Sequence, residues 1–359
     1  MSGVWGNKLQ LSIFGESHGK AIGVVINGLE PGIELDMEMI NKEMERRAPG
    51  RNKYSTQRKE GDKIEIVSGF FNGKTTGTPL TAMIWNGDQH SKDYGNIKDT
   101  PRPGHADYTG FIKYGGFNDY RGGGHFSGRI TAPIVFAGAV AKQILMKQNI
   151  VIGSHILSIN NIREDNFDRV NINEETLKEL TLKAFPVLDE EKGEEMKNVI
   201  SNARDNLDSV GGIIECSAIN VPAGFGDPFF DSVESTLSHL LFSIPAVKGV
   251  EFGAGFDITK MQGSEANDDF YYDEAGNVKT YSNNNGGILG GITSGMPIIF
   301  RTAFKPTASI YKKQKTINLC TKKNDEISIN GRHDPCIVLR AVPVVEAVCA
   351  IGILDILLR

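Results

Sequence analysis

The chain has 359 residues, enough for one large domain or two ordinary ones with a sizeable core. Hydrophobic residues make up 40% and charged residues 23%, the balance of a soluble globular protein. Lys and Arg number 39 against 44 Asp and Glu; the net charge of −5 argues against a broad nucleic-acid surface and leaves room for a locally basic pocket.

The first residues, MSGVWGNKLQLSIFGESHG, lack a charged segment followed by an apolar run, so no signal peptide is expected. No uninterrupted run of about 18 apolar residues occurs, which predicts no membrane span and a cytoplasmic protein. Residues 8–28 alternate as two strands around the turn ESHGK. A helix is expected over 36–48, capped by Asp36 and carrying Met37, Ile40 and Met44 on one face. Residues 49–62 are polar and irregular. Strands follow at 63–72 and 79–86, then a long Gly-, Asp- and Tyr-rich stretch over 87–128. An unstructured segment of that length points to function. It leads into ITAPIVFAGAVAKQILMKQ (130–148), apolar around most of its surface and so a core helix.

Residues 160–208 are acidic and amphipathic, with helices expected at 173–184 and 188–207 and no evident chemistry. A strand is predicted at 211–222, a helix capped by Asp231 or Ser232 at 231–244, and strands at 250–258 and 296–304 around a loop at 262–286. A final helix spans 337–358 with a kink at Pro343. Hairpins and helices without steady β-α-β alternation indicate an α+β fold, and the absence of a low-complexity linker indicates one compact domain over 1–359.

Five segments place reactive side chains among glycines, of which there are 41, well above the usual ~7%. The first is Gly15-Glu16-Ser17-His18-Gly19, where a turn histidine is free to act as an acid near neutrality. Ser17-His18 as a hydrolase pair is disfavoured, because G-E-S-H-G is not the G-x-S-x-G elbow. The second holds Arg46, Arg47, Arg51, Lys53 and Arg58; arginines ending a helix offset its dipole, and the alternative is a polyanion pocket. The third is Arg102-Pro103-Gly104-His105-Ala106-Asp107-Tyr108. The fourth, Gly122-Gly123-Gly124-His125-Phe126-Ser127-Gly128-Arg129, opens the core helix and matches neither a P-loop nor a dinucleotide fingerprint. The fifth comprises Asn285 to Gly291, Lys305-Pro306-Thr307-Ala308-Ser309, and Gly331-Arg332-His333-Asp334-Pro335 with Arg340. Asp334 alone reads most simply as a helix cap. Together the five suggest one anion site built from loops. Cys216, Cys320, Cys336 and Cys349 have no metal-ligand spacing, and no metal is expected.

The strings FGESHG, RRxPG followed by YSTQRxEGD, SGxFxGxTTGTPL, RPGHADYT, KYG, DYRGGG, NVPAGFGDP, AVKGVEFGAGF, GGILGG, KPTAS and GRHDPC occur in this order from about residue 10 to 346. In them the chain resembles the chorismate synthase family. The resemblance implies helices sandwiched between antiparallel sheets and a homotetramer. It also implies a reduced-FMN-dependent 1,4-anti elimination of phosphate from 5-enolpyruvylshikimate 3-phosphate without net redox change. His18 matches the donor of a proton to the departing phosphate, His105 the histidine beside the reduced flavin, and Asp334 the carboxylate that deprotonates flavin N5. Ser17, Arg47, Arg129 and Arg340 resemble substrate contacts. His125, Phe126, Ser127, Ala246, Gly290, Lys305, Pro306, Thr307, Ala308, Ser309 and Arg332 resemble flavin contacts. NAD(P)H, if used, would serve to reduce the flavin, with Arg47 and Lys53 as its contacts. The chain departs from several relatives in having Ala48 and Lys53 where they have arginine, and His125-Phe126-Ser127 where many have Arg-Ser-Ser. Two other readings stay open: an NAD(P)H-consuming flavin oxidoreductase, weakened by the missing Rossmann fingerprint, and an anion-binding module without catalysis.

Overall fold

A computed structural model describes residues 3–50, 61–87, 98–329, 331 and 333–359. In chain order the N-terminal part forms β1 (Val4–Trp5), β2 (Gln10–Gly15), β3 (Ala21–Asn27), α1 (Met37–Arg47), β4 (Ile64–Ser68), β5 (Phe70–Phe71), β6 (Lys74–Thr75), β7 (Leu80–Trp85), α2 (Asp107–Lys113) and α3 (Thr131–Met146). The middle adds β8 (Val151–Ile159), β9 (Ile162–Arg163), α4 (Glu174–Leu182), α5 (Glu190–Asp205), β10 (Gly212–Ile219), α6 (Val233–Ser243), β11 (Val247–Phe252) and α7 (Gly263–Ala266). Short hairpins β12–β13 (Phe270–Tyr272, Val278–Thr280) and β14–β15 (Ile288–Leu289, Ile292–Thr293) precede β16 (Ile298–Phe304), a hairpin β17–β18 (Gln314–Asn318, Lys323–Ile327) and α8 (Val338–Leu357).

Two five-stranded sheets, ordered β1-β2-β3-β7-β4 and β11-β16-β10-β8-β9, are antiparallel throughout. Helix α3 packs on β3 and β7, α8 packs on β8 and β10, and the two helices pack on each other. The helices therefore lie between the sheets, as the family resemblance implies. Gly138 permits the close crossing: a methyl there would overlap the backbone and side chain of Ala347. The segment Gly128–Met146 is long and apolar enough to cross a membrane by length and composition, although Arg129, Thr131, Lys142 and Gln143 interrupt its apolar run. Its best window is 83% buried inside the protein, the setting of a core helix.

Local chemistry explains most elements. Asp36 caps α1 by accepting from the Glu38 and Met39 amides at 2.8 and 3.1 Å. Ser232, not Asp231, caps α6. Charge ties the middle layer together: Glu346 of α8 is fully buried and accepts from Arg46 of α1 (2.6 and 2.9 Å), Lys142 of α3 (2.6 Å) and Ser154 of β8 (2.8 Å), while Glu43 neutralises the second cation. The acidic 160–208 segment is held to the second sheet by His155, whose ring nitrogens meet Glu164 and Glu215.

Three expectations change. The strand expected over 250–258 ends at Phe252 and gives way to a 3-10 turn, Gly255–Lys260. The 98–128 part of the supposedly structureless stretch contains α2 and a 3-10 turn, Arg121–Phe126. Helix α8 runs through Pro343 and starts at Val338 with Ile337 in the capping position, so Asp334 is not its cap.

Candidate active site

A cavity of about 810 Å³ opens where the β2 strand, the 102–129 loops, the start of α8, the α6–β11 turn and the 305–309 loop converge. The sequence-predicted residues His105, His125, Phe126, Ser127, Ala246, Lys305, Pro306, Thr307, Ala308, Ser309, Arg47, Arg129, Asp334 and Arg340 all line it. Gly290 does not: it is exposed in the β14–β15 turn. Lys53 and Arg332 lie outside the described residues, as do Arg51 and Arg58. Ser17 and His18 stand one layer behind the wall. The His18 ring lies against Gly122, a lining residue, with His18 Nδ1 3.1 Å from Ser17 Oγ. Gly122 has φ +60°, and a Cβ there would overlap that ring, so glycine alone lets His18 come this close to the cavity.

Charge is distributed unevenly around the cavity. Arg47, Arg102, Lys113, Arg129, Lys248, Lys305 and Arg340 line it, and among the described residues Asp334 is the sole lining carboxylate. The adjacent arginines of α1 part company. Arg46 enters the Glu346 network, whereas Arg47 turns to the cavity wall, donating to Thr131 Oγ1 at 3.2 Å and pairing with Asp62. Arg129 pairs with the other oxygen of Asp62 and donates to Asn86 Oδ1 at 2.8 Å. Burial opposes ionisation of Asp62, but Arg47 and Arg129 outweigh it and hold the carboxyl below the usual range. Burial, and after it Arg340 and Arg129, push the Arg47 guanidinium below its ordinary value despite Asp62. Arg340 donates to Asp334 Oδ2 at 2.6 Å and to the Arg47 carbonyl at 3.2 Å.

The opposite rim is built by backbone. His125 Nδ1 donates to the Gly15 carbonyl at 2.8 Å, and the Ser17 amide to the Gly124 carbonyl at 3.1 Å, which pins the glycine loop to the β2–β3 hairpin. Lys305 Nζ donates to the Gly104 carbonyl, and burial together with Lys248 lowers its pKa. Ala246 holds φ +75°, a conformation costly for a residue with a Cβ, beside this rim. Thr307 Oγ1 is buried with no hydrogen-bond partner among the described residues, on a residue that lines the cavity. Sequence reading did not single out Asp62, Lys248 or His239, and it placed Arg102 and Asp107 in a motif without roles. Asp62 lies 67 positions from Arg129, so no local spacing reveals that pairing.

Fold and site define an α+β enzyme whose loop-built, cation-rich cavity receives a multiply anionic small molecule. The chain belongs to the chorismate synthase family, whose sequence pattern matches residues 9–358. It is 51% identical over 356 residues to the chorismate synthase of Pyrococcus abyssi, covering 98% of this chain and 97% of that one. The Thermococcus gammatolerans and Methanocaldococcus jannaschii chorismate synthases are 49% and 48% identical, each over 99% of this chain and over 97% and 96% of theirs. A crystal structure of a chorismate synthase superimposes with a TM-score of 0.76 at 32% identity, covering 99% of this chain and 93% of the other.

Proposed function

We propose that the protein is a cytoplasmic chorismate synthase of the shikimate pathway that eliminates phosphate from 5-enolpyruvylshikimate 3-phosphate with reduced FMN. The observation that carries this reading is the excess of cations over carboxylates, of which Asp334 is the sole one among the described lining residues, around one partly apolar cavity. The substrate has one phosphate and two carboxylates, and arginine forks match both groups.

The residues present also fit FMN. The cavity has the size of a cofactor site. Ile13, Ile134, Ile337 and Val344 give it an apolar wall for a ring system, while Lys248 and Lys305 leave positive charge for a phosphate. The orphaned Thr307 hydroxyl supplies a polar atom awaiting a ligand partner. We assign His105, His125, Phe126, Ser127, Ala246 and Lys305 to Ser309 to this half, with Arg332. Gly290 belongs to it only if another copy of the chain brings it there. A homotetramer accords with Phe117, Phe229, Phe230 and Phe256, all 80–95% exposed.

When bound, reduced FMN supplies electron density that stabilises positive character as the C–O bond to phosphate breaks. The chain's own residues do the rest. Arg47, Arg129 and Arg340 bind and orient the substrate anions, while Ser17 stands behind the wall against the His18 ring. His18, reaching the cavity edge over Gly122, gives a proton to the departing phosphate oxygen. Asp334, fixed in place by Arg340, would hold the proton taken from flavin N5, so that the proton leaving substrate C6 has an acceptor there. Arg47, tied to Asp62 inside the wall, is assigned to the substrate, and a nicotinamide contact, if any, would use Arg47 and Lys53. NAD(P)H has a place only as a source of electrons for the flavin.

Turnover is expected with reduced FMN and not with oxidised FMN; equal activity without flavin ends this reading. A second expected result concerns Asp62. Asp62→Asn takes away the anion shared by Arg47 and Arg129 and lets them repel. KM for the substrate should rise about tenfold or more, since a charge-assisted contact is worth ~1.5–3 kcal/mol, and the rise should depend on salt. A folded Asp62→Asn enzyme with the wild-type KM would show that Asp62 does not set the arginines.

A further inference from the structure

Asn86 stands just past the end of β7, where the pairing of β7 with β3 brings it against the β2–β3 turn. Its amide extends that pairing by one bond, donating to the Lys20 carbonyl at 3.1 Å. The side chain then meets two kinds of group. Nδ2 donates to the Gly19 carbonyl at 2.9 Å and to the Glu16 carbonyl at 3.1 Å, the two carbonyls that flank Ser17 and His18 in the chain. Oδ1 accepts from Arg129 Nε at 2.8 Å. A backbone carbonyl only accepts and a guanidinium only donates. The carboxamide therefore has one orientation here, nitrogen to the turn and oxygen to the arginine. Aspartate lacks the donors for this place, and serine has only one.

We propose that Asn86 is a positioning residue that sets the spacing between His18, the proton donor to the departing phosphate, and Arg129, which holds a substrate anion. The inference rests on the functional reading for those two roles. Asn86 is half-buried and does not line the cavity, so it acts through the groups it holds. Each of them has a second anchor. Asp62 pairs with Arg129 Nη1, and the Gly124 carbonyl accepts from the Ser17 amide at 3.1 Å. Without the Asn86 side chain the turn and the arginine stay attached to the protein but lose the group that joins them. A misplacement on the order of 1 Å can cost a positioned reaction about 100-fold.

The test measures kcat and KM with reduced FMN and substrate for Asn86→Ala and Asn86→Asp, each alone and combined with His18→Ala. Asn86→Asp is nearly isosteric and keeps an acceptor for Arg129, but it sets a carboxylate oxygen against two carbonyls. Both variants should lower kcat about 10- to 100-fold. Asn86→Ala also releases Arg129 Nε and should raise KM about three- to tenfold, the worth of one hydrogen bond. In the His18→Ala background, Asn86→Asp should lower kcat by less than about threefold, because the group it displaces is already gone. A merely structural role would cost the same factor with or without His18. A second readout needs no turnover: in ¹³C-histidine-labelled protein, the His18 ring signals, identified by their loss in His18→Gln, should move in both Asn86 variants while those of His155 in the second sheet stay. Folded variants with the wild-type kcat overturn the proposal, as does an equal loss in the His18→Ala background or an unmoved His18 signal. Failure of both variants to fold overturns it too, since Asn86 would then be needed for the fold itself. A wild-type protein that forms no chorismate overturns the functional reading instead, and the His18 signals then decide the positioning alone.

Discussion

His18→Ala is expected to lower turnover about 10²–10⁴-fold, the range of a positioned acid, while the protein stays folded and binds substrate. His18 is 6% exposed and its ring sits between Ser17 and Gly122, so its loss leaves a small void at the cavity edge and no broken core. The residual rate should fall further as pH rises, because solvent must then supply the proton for the leaving phosphate. Asp334→Asn should slow turnover without that trend. It keeps the shape of the side chain but removes the lining carboxylate and the ionic partner of Arg340. Since Ile337 occupies the capping position of α8, Asp334→Asn should leave stability near wild type. Gly122→Ala should resemble His18→Ala, since the added methyl displaces the ring. A His18→Ala enzyme with undiminished kcat and an unchanged pH profile would remove the histidine from the proton path.

Glu346→Gln is expected to destabilise the protein by about 3–5 kcal/mol, the cost of breaking a buried ion network by removing one partner. Two cations, Arg46 and Lys142, would then face only Glu43 in the middle of the helical layer. Burial opposes the Glu346 charge, yet Arg46 and Lys142 hold its pKa down to about 2, from an ordinary 4.5. A depressed carboxyl stabilises the fold fully above its unfolded pKa. That contribution should fade as pH falls from about 4.5 and be gone below about 2. Denaturant unfolding of both proteins across this range should show the gap between them closing in acid. A gap below ~1 kcal/mol at neutral pH would mean that the network adds nothing the neutral amide cannot replace.

Element by element, legibility followed how local the determining physics is. Helix α1 was readable because Asp36 caps it and its apolar spacing is regular, both within one turn or two. The β2–β3 hairpin was readable from alternation around a glycine turn. Strand β8 was not anticipated: it is buried at nearly every position, Ser154 and His155 included, so its polar residues do not alternate with apolar ones. Neighbouring Arg46 and Arg47 look alike in sequence, and only the packing of α1 against α8 sends one to Glu346 and the other to the cavity. Asp334 beside a coming helix has the appearance of a cap, but α8 begins at Val338 with Ile337 in the capping position, and the carboxylate pairs with Arg340 instead. The motifs located the loops of the site; a long-range partner such as Asp62 became visible only when those loops were brought together.

An elimination in this cavity, as proposed, would leave the flavin unconsumed. The most direct measurement is an anaerobic reaction with 5-enolpyruvylshikimate 3-phosphate, photoreduced FMN far below the substrate concentration, and no nicotinamide. Equimolar phosphate and chorismate should accumulate through many turnovers per flavin. Product limited to one per flavin, or formed only with stoichiometric NAD(P)H oxidation, would contradict the account.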